Sequence, residues 1–248
     1  MKKLFAILFC FIMFFSACVS ESPVENTEPS FTEKETALQE NQEEPSENDY
    51  YYEYEDLGVT TWTDSIGTCW AQVAVEIYNA GKYDLFLNSS SVDLETASGS
   101  LFATQNYIGP CPQVISPGEY SYYIETIMLD SAPEEELFTN WHLDICGSVT
   151  EKILFPVTDI KFSTDKYTDL KVIGRVENTT SKEQTLIEVC IIALDENNSV
   201  LTKLSTYVDI APNDKVGFEC YGLAMPDGIT ADDVAAYIVY AFPHQYQF

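Results

Sequence analysis

Most of the chemistry this sequence can offer rests on its cysteines, its two histidines, its tyrosines and one run of clustered oxygens. Cys69, Cys111, Cys146, Cys190 and Cys220 lie in the body of the chain. Five is an odd number, so at least one thiol stays free unless chains pair, while an oxidising exterior lets others bridge. His142 and His244 stand far apart, in different expected domains. A hydrolase triad or a zinc site, which needs convergent ligands, is therefore poorly supported. The sequence holds no Gly-x-Ser-x-Gly elbow, phosphate loop or dinucleotide fingerprint. Asp195-Glu196-Asn197-Asn198-Ser199 offers the hard oxygens calcium takes. The same residue types favour a tight turn, and their place between two strand-like runs reads as a hairpin. The expectation is a protein that is not an enzyme, with no cofactor and no metal.

The first residues address the chain elsewhere. Met1-Lys2-Lys3 is a short positive start and Leu4 to Phe15 an apolar run, the n-region and h-region of a secretory signal. The run is too short for a spanning helix, which needs about 20 residues. Ser16-Ala17-Cys18 follows, small residues before a cysteine. This resembles a lipobox, with Phe15 where such sequences most often carry Leu. The resemblance implies residues 1–17 as a lipoprotein signal peptide cut after Ala17, with diacylglyceryl attached to Cys18 as the mature N-terminus. A palmitate-bearing, lipid-anchored protein on the extracytoplasmic face of a bacterial cell membrane is the consequence. Cys10, inside the apolar run, reads as hydrophobic filling.

Charge narrows the partners. Asp and Glu outnumber Lys and Arg by 40 to 12, for a net charge of −28, and Arg175 is the only arginine. A nucleic-acid binder replaces condensed counterions with Lys and Arg, whereas this surface repels polyanions. Residues 18–56 read as a lipidated N-terminus followed by a disordered acidic spacer. Val19 to Asp56 holds 13 acidic residues and a single lysine, so it cannot bury enough apolar surface to offset its ordering entropy. Its end concentrates Tyr50, Tyr51, Tyr52 and Tyr54 among acids. Such side chains suit a sticky contact or sugar stacking, or packing on the edge of the first domain.

Beyond residue 57 the pattern has period two. Ala71, Val73, Val75 and Ile77 form an apolar set, with Gln72 and Glu76 expected to look outward, and Asn79-Ala80-Gly81 makes a turn. A strand around Tyr83 to Leu87 follows, and Pro117-Gly118 launches another from Tyr120 to Leu129. The second half repeats the order: Leu170 to Val176, a turn at Asn178, a strand from Leu186 to Leu194, then Pro212 launching Lys215 to Tyr221. Asn79 to Pro117 and Asn178 to Pro212 are similar spans, which points to internal duplication. Local helix is expected at most around Ser131 to Glu136 and Thr230 to Asp233, before a last strand near Ala235 to Phe242. With Glu188 and Glu219 outward, Cys190 points out and Cys220 in, which disfavours a bridge between them. Any bridge is then expected among Cys69, Cys111 and Cys146, with the pair open.

The fold class read from this is all-β: two tandem antiparallel sandwiches of immunoglobulin-like architecture, at 57–155 and 156–248. Gly174, Asn178, the run Ile191-Ile192-Ala193-Leu194-Asp195, Pro212 and Phe218-Glu219 make 156–248 resemble the FxLYD domain of bacterial surface lipoproteins. Of the name motif only Asp195 is kept, Ile191, Ala193 and Leu194 replacing Phe, Leu and Tyr. Residues 57–155 are similar to related immunoglobulin-like domains. The family implies a β-sandwich and no established chemistry. The functional expectation is a non-enzymatic surface module that binds a protein or glycan, with an accessory lipoprotein of a transporter or envelope complex as the alternative. Tyr122 and Tyr237, on aromatic-rich strands, are the expected contact face beside the tyrosines at 50–54.

Overall fold

Alternation does what it promises in Cys69–Asn79: Ala71, Val73, Val75 and Ile77 are all fully buried. A computed structural model describes residues 49–148, 150–164, 168–222, 225–226 and 228–244. The cleavage position Ala17 and the acylated Cys18 lie outside the described residues. The fold is all-β and antiparallel. Its first half comprises β1 (Tyr52–Thr63), β2 (Cys69–Asn79), β3 (Leu85–Leu87), β4 (Ser90–Thr96), β5 (Leu101–Ile108), β6 (Pro110–Cys111), β7 (Val114–Ile115), β8 (Tyr120–Leu129), β9 (Leu137–His142) and β10 (Ile145–Gly147). The second comprises β11 (Val157–Ser163), β12 (Lys171–Glu177), β13 (Gln184–Leu194), β14 (Val200–Ile210), β15 (Lys215–Tyr221) and β16 (Ala236–Pro243).

The two halves repeat one topology. Sheets ordered β1-β2-β8-β6 and β5-β4-β9 enclose the first core, with the small sheet β10-β3-β7 closing it; β11-β12-β15 and β14-β13-β16 enclose the second. Strand for strand, β1-β2-β8 matches β11-β12-β15, and β5-β4-β9 matches β14-β13-β16. A buried asparagine ends the second strand of each. Asn79 Nδ2 donates to the carbonyls of Tyr83 and Ile115, both at 2.9 Å, while Gly81 N donates to its Oδ1. Asn178 Nδ2 donates to the carbonyls of Lys182 (2.7 Å), Ile210 (3.2 Å) and Ala211 (3.1 Å), while Thr180 N donates to its Oδ1. Duplication thus extends from sequence order to individual hydrogen bonds.

The hairpins are built alike as well. In Asp64–Thr68, Thr96–Ser100 and Asp195–Ser199 the first residue donates its N–H to the fifth residue's carbonyl and accepts from the fourth residue's N–H. The fourth position, Gly67, Gly99 or Asn198, has positive φ, the conformation such three-residue loops demand. Asp195 spends Oδ1 on the N–H groups of Asn197 and Ser199, which builds the hairpin turn expected of this run. Its counterpart Asp64 accepts from Ile66 and Thr68 and, through Oδ2, from Trp70 Nε1 at 3.0 Å. The indole bond, foremost among several, holds the Asp64 carboxyl below its ordinary 3.8. A depressed carboxylate pKa means the bond is intact above 3.8 and is lost as pH falls through the lowered value. The Trp70 indole N–H resonance is therefore expected to titrate below pH 3.8 in NMR spectra, and to lose that step in Asp64→Asn.

Three expectations need correction here. The spacer was drawn to Asp56, but β1 begins at Tyr52 and pairs with β2 from Tyr52↔Asn79 onward. Alternating tyrosines supply strand-forming side chains, and the acids between them suit an edge strand, which charge protects from further pairing. Ser131–Glu136 forms no helix, whereas Thr230 caps the 3-10 turn Ala231–Asp233. The expected bridge within the first domain is replaced by Cys111–Cys190, which crosses between the halves. Cys190 does point away from its own core, as its phase requires, but that face is covered by the first half rather than by water.

Covering that face is a third apolar cluster. Ala74, Cys111, Tyr122 and Ile124 from β2, β6 and β8 meet Cys190, Ile192, Leu194 and Phe242 from β13 and β16. Strand β13 is consequently buried on both faces, Val189, Ile191 and Ala193 inward and Cys190, Ile192 and Leu194 toward the other half. Gln72, expected outward, is on this covered face and is buried. The two sandwiches, joined sheet to sheet, belong to one compact unit.

Candidate functional site

The aromatic strands read as a contact face do form one, but with each other. Tyr122 is buried between the halves, where burial, with the Glu76 carboxylate second, pushes its hydroxyl well above the ordinary value. Tyr240 reaches the same cluster and is likewise shifted upward, chiefly by burial. Tyr122 is thus withdrawn from any outside ligand. Tyr237 points the other way along β16, remains exposed, and its ring lies 5.5 Å from that of Phe162. The expected pair therefore does not share a surface.

The four tyrosines of the N-terminal segment divide similarly. Tyr50 and Tyr52 pack on the first core; Tyr50 lies 5.7 Å from the Tyr83 ring and fills the space above Gly147, where a Cβ would collide with its ring. Lys82 ties down the neighbouring backbone, donating its N–H to the carbonyl of Asp49 and pairing its ammonium with the same residue's carboxylate at 2.6 Å. Tyr51 and Tyr54 are exposed.

A concave site exists where neither set of tyrosines indicated one. Beside the interface, β8 and β14 diverge and leave an open groove of about 400 Å³, lined by Glu125, Thr126, Thr202, Lys203, Ser205 and Tyr221 among others. Ser205 lies on the interface face of β14, opposite Cys190, whereas Thr202, paired with Ala193, faces the second core, and Lys203 and Glu125 offset one another in charge. The Lys171 ammonium sits 5.2 Å from the Tyr221 ring centroid, a cation–π arrangement that fixes the ring. Thr126 pairs across the sheet with Gln72, so both side chains lie on the same face. Gln72 is 6 % exposed, and its Oε1 has no hydrogen-bond partner among the described residues. One row further along this face stand Trp62, Trp70 and Met128, aligned across β1, β2 and β8, with the two indoles stacked 6.5 Å apart.

The remaining reactive groups are dispersed. His142 pairs with Asp93 at 3.0 Å on the β5-β4-β9 sheet, and Asp93 also accepts from Thr104 at 2.6 Å, which with the histidine holds its carboxyl low. His244 pairs with Glu188 at 2.9 Å in the second half. Burial, with Glu219 adding, pushes the Cys220 thiol up to about 12, a protonated and unreactive state at neutral pH. Cys146 is exposed and Cys69 half-buried. No group of three or more His, Cys, Asp or Glu side chains among the described residues is placed to hold a metal ion.

Sequence reasoning missed the groove because it arises where two halves meet. One signal pointed to that meeting: Val189 to Leu194 is apolar in both phases, as a strand covered on both faces must be. No family model matches the chain, and no curated protein matches it either.

Proposed function

We propose that this protein is a lipid-anchored extracytoplasmic lipoprotein whose two sandwiches, the second FxLYD-like, act as one rigid non-enzymatic binding module at the bacterial cell surface. The observation that carries the reading is the groove beside the disulfide-linked interface. A binding cleft gains affinity when its walls are pre-set, because less ordering is left to occur on binding. Here the walls come from two sheets joined by an apolar contact and by Cys111–Cys190. The disulfide also favours an oxidising compartment, which agrees with the leader and with Cys18 as the anchor.

The anchor is tested by metabolic labelling with a fatty acid. Wild-type protein is expected to take up label and sediment with membranes, and Cys18→Ser to take up none and leave the membrane fraction. Labelling that survives the substitution overturns the anchor. A reproducible membrane-protein partner that binds elsewhere than the groove points instead to an accessory role in an envelope complex.

A further inference from the structure

We propose that the open end of the β1-β2-β8 face, around Trp62, Trp70 and Met128, docks a basic protein segment that lays a Lys or Arg side chain over the indoles. This rests on the reading of the protein as a binding module and adds the chemistry of its partner.

Charge is divided unequally between the two halves. Residues 49–151 hold seventeen Asp and Glu against one lysine, Lys82, whereas residues 152–248 hold fourteen against eight Lys and Arg. Lys82 is itself paired with Asp49 at 2.6 Å. Strands β1, β2 and β8, with the hairpin that joins β1 to β2, contain no Lys or Arg at all. Such a field concentrates a cationic partner and speeds its arrival. It repels an anionic polymer, an anionic lipid surface and a second copy of the same half.

The apolar surface of the junction continues into the open on this face. The joined cluster takes Ala74, Tyr122 and Ile124 from it. Two rows further along, about 13 Å at the rise of a strand, come Trp62, Trp70 and Met128. Met128 is 67 % exposed, and Ile66 in the adjoining hairpin is 87 % exposed. Trp and Met are enriched where proteins meet, and grouped exposed apolar side chains mark such places.

The indoles select the cation. They stack 6.5 Å apart with their planes within 19°, and the face of Trp attracts a guanidinium or ammonium more strongly than that of Tyr or Phe. Trp70 Nε1 donates to Asp64 Oδ2 at 3.0 Å, which fixes the ring and sets a carboxylate beside it. The other Asp64 oxygen is spent on the N–H groups of Ile66 and Thr68, so this carboxylate serves the partner through its field.

The test titrates the full-length protein in detergent with hexa-arginine, following heat and tryptophan fluorescence, with hexaglutamate as control. Saturable binding of hexa-arginine with a change in fluorescence, and none of hexaglutamate, is expected. Met128→Lys and Ile66→Lys, both at exposed positions, should each weaken it about tenfold or more by setting like charge against the peptide. Glu95→Gln makes the same change in net charge on the opposite sheet of the sandwich and should weaken it less than about twofold. Equal weakening by all three, or none by the two lysines, overturns the site. Absence of hexa-arginine binding overturns the basic class. A photo-crosslinking residue at Met128 in living cells separates that failure from failure of the module reading. An adduct there whose contacting peptide lacks Lys and Arg overturns the basic class alone, and absence of any adduct at Met128 or at Ser205 overturns both.

Discussion

Replacing Asn178 by alanine is expected to destabilise the fold by about 3 to 5 kcal/mol, among the largest effects available to a single substitution outside the core. The side chain is fully buried, and its Nδ2 serves the carbonyls of Lys182, Ile210 and Ala211, of which that of Lys182 also accepts from Thr180 Oγ1. Each buried acceptor left unpaired costs about 1 to 3 kcal/mol, and the turn that starts at Thr180 loses its anchor on Oδ1 at the same time. Asn178→Asp keeps the acceptor but loses the donors and turns a second oxygen toward carbonyls, so it should be no milder. Asn79→Ala should behave alike, because its amide makes the corresponding bonds in the first half. Denaturant unfolding followed by tryptophan fluorescence checks this. A loss below about 1 kcal/mol at both positions would mean that the paired asparagines do not hold the two corners.

The second large effect concerns the covalent link. Cys111 and Cys190 are 79 residues apart in sequence, and closing a loop of that size restricts the unfolded chain by about 4 to 5 kcal/mol in the chain-entropy account. Cys111→Ala together with Cys190→Ala should lower unfolding stability by that order, and added reductant should lower the stability of the wild-type protein while leaving that of the double variant unchanged. Non-reducing peptide mass spectrometry should find the Cys111–Cys190 peptide pair. A Cys69–Cys146 pair found in its place would contradict the way the halves are joined. An unchanged unfolding midpoint in the double variant would show that the apolar contact alone joins them.

Individual strands were legible in the sequence. The alternation in β2, the bounds of β8 and β15, the turn asparagines and the order shared by the halves all follow from period-two patterning and turn chemistry, which are local properties. What was not legible is what depends on a second surface. Gln72 and Cys190 were assigned to solvent because each faces away from its own core, and that phase is right. Solvent is absent there because Ala74, Tyr122 and Ile124 lie against Ile192, Leu194 and Phe242, a contact between segments more than sixty residues apart. Strand β1 was hidden for a different reason: Glu53, Glu55 and Asp56 give its first half the composition of a spacer, although an edge strand carries such charge at little cost. The groove inherits both difficulties, since one wall comes from each half and Thr126, Thr202 and Ser205 are ordinary strand residues until the walls are brought together.

The two outer faces differ in chemistry from the joined ones. The outer side of β11-β12-β15 is laced by the pairs Lys171–Glu219 and Lys215–Glu177, both at 2.7 Å, and that of β5-β4-β9 by Asp93, His142 and Thr104. Polar outer faces of this kind cap repeat arrays, whereas the joined faces are apolar.

One measurement bears most directly on the central claim that the junction groove is where this protein meets its ligand. A photo-crosslinking residue placed at Ser205 in living cells, with another at Phe138 on the β5-β4-β9 sheet as comparison, captures whatever occupies each surface. A discrete adduct at Ser205 and none at Phe138 is the predicted result. An adduct with a membrane protein at Phe138 and none at Ser205 would contradict the account and make the protein an accessory subunit.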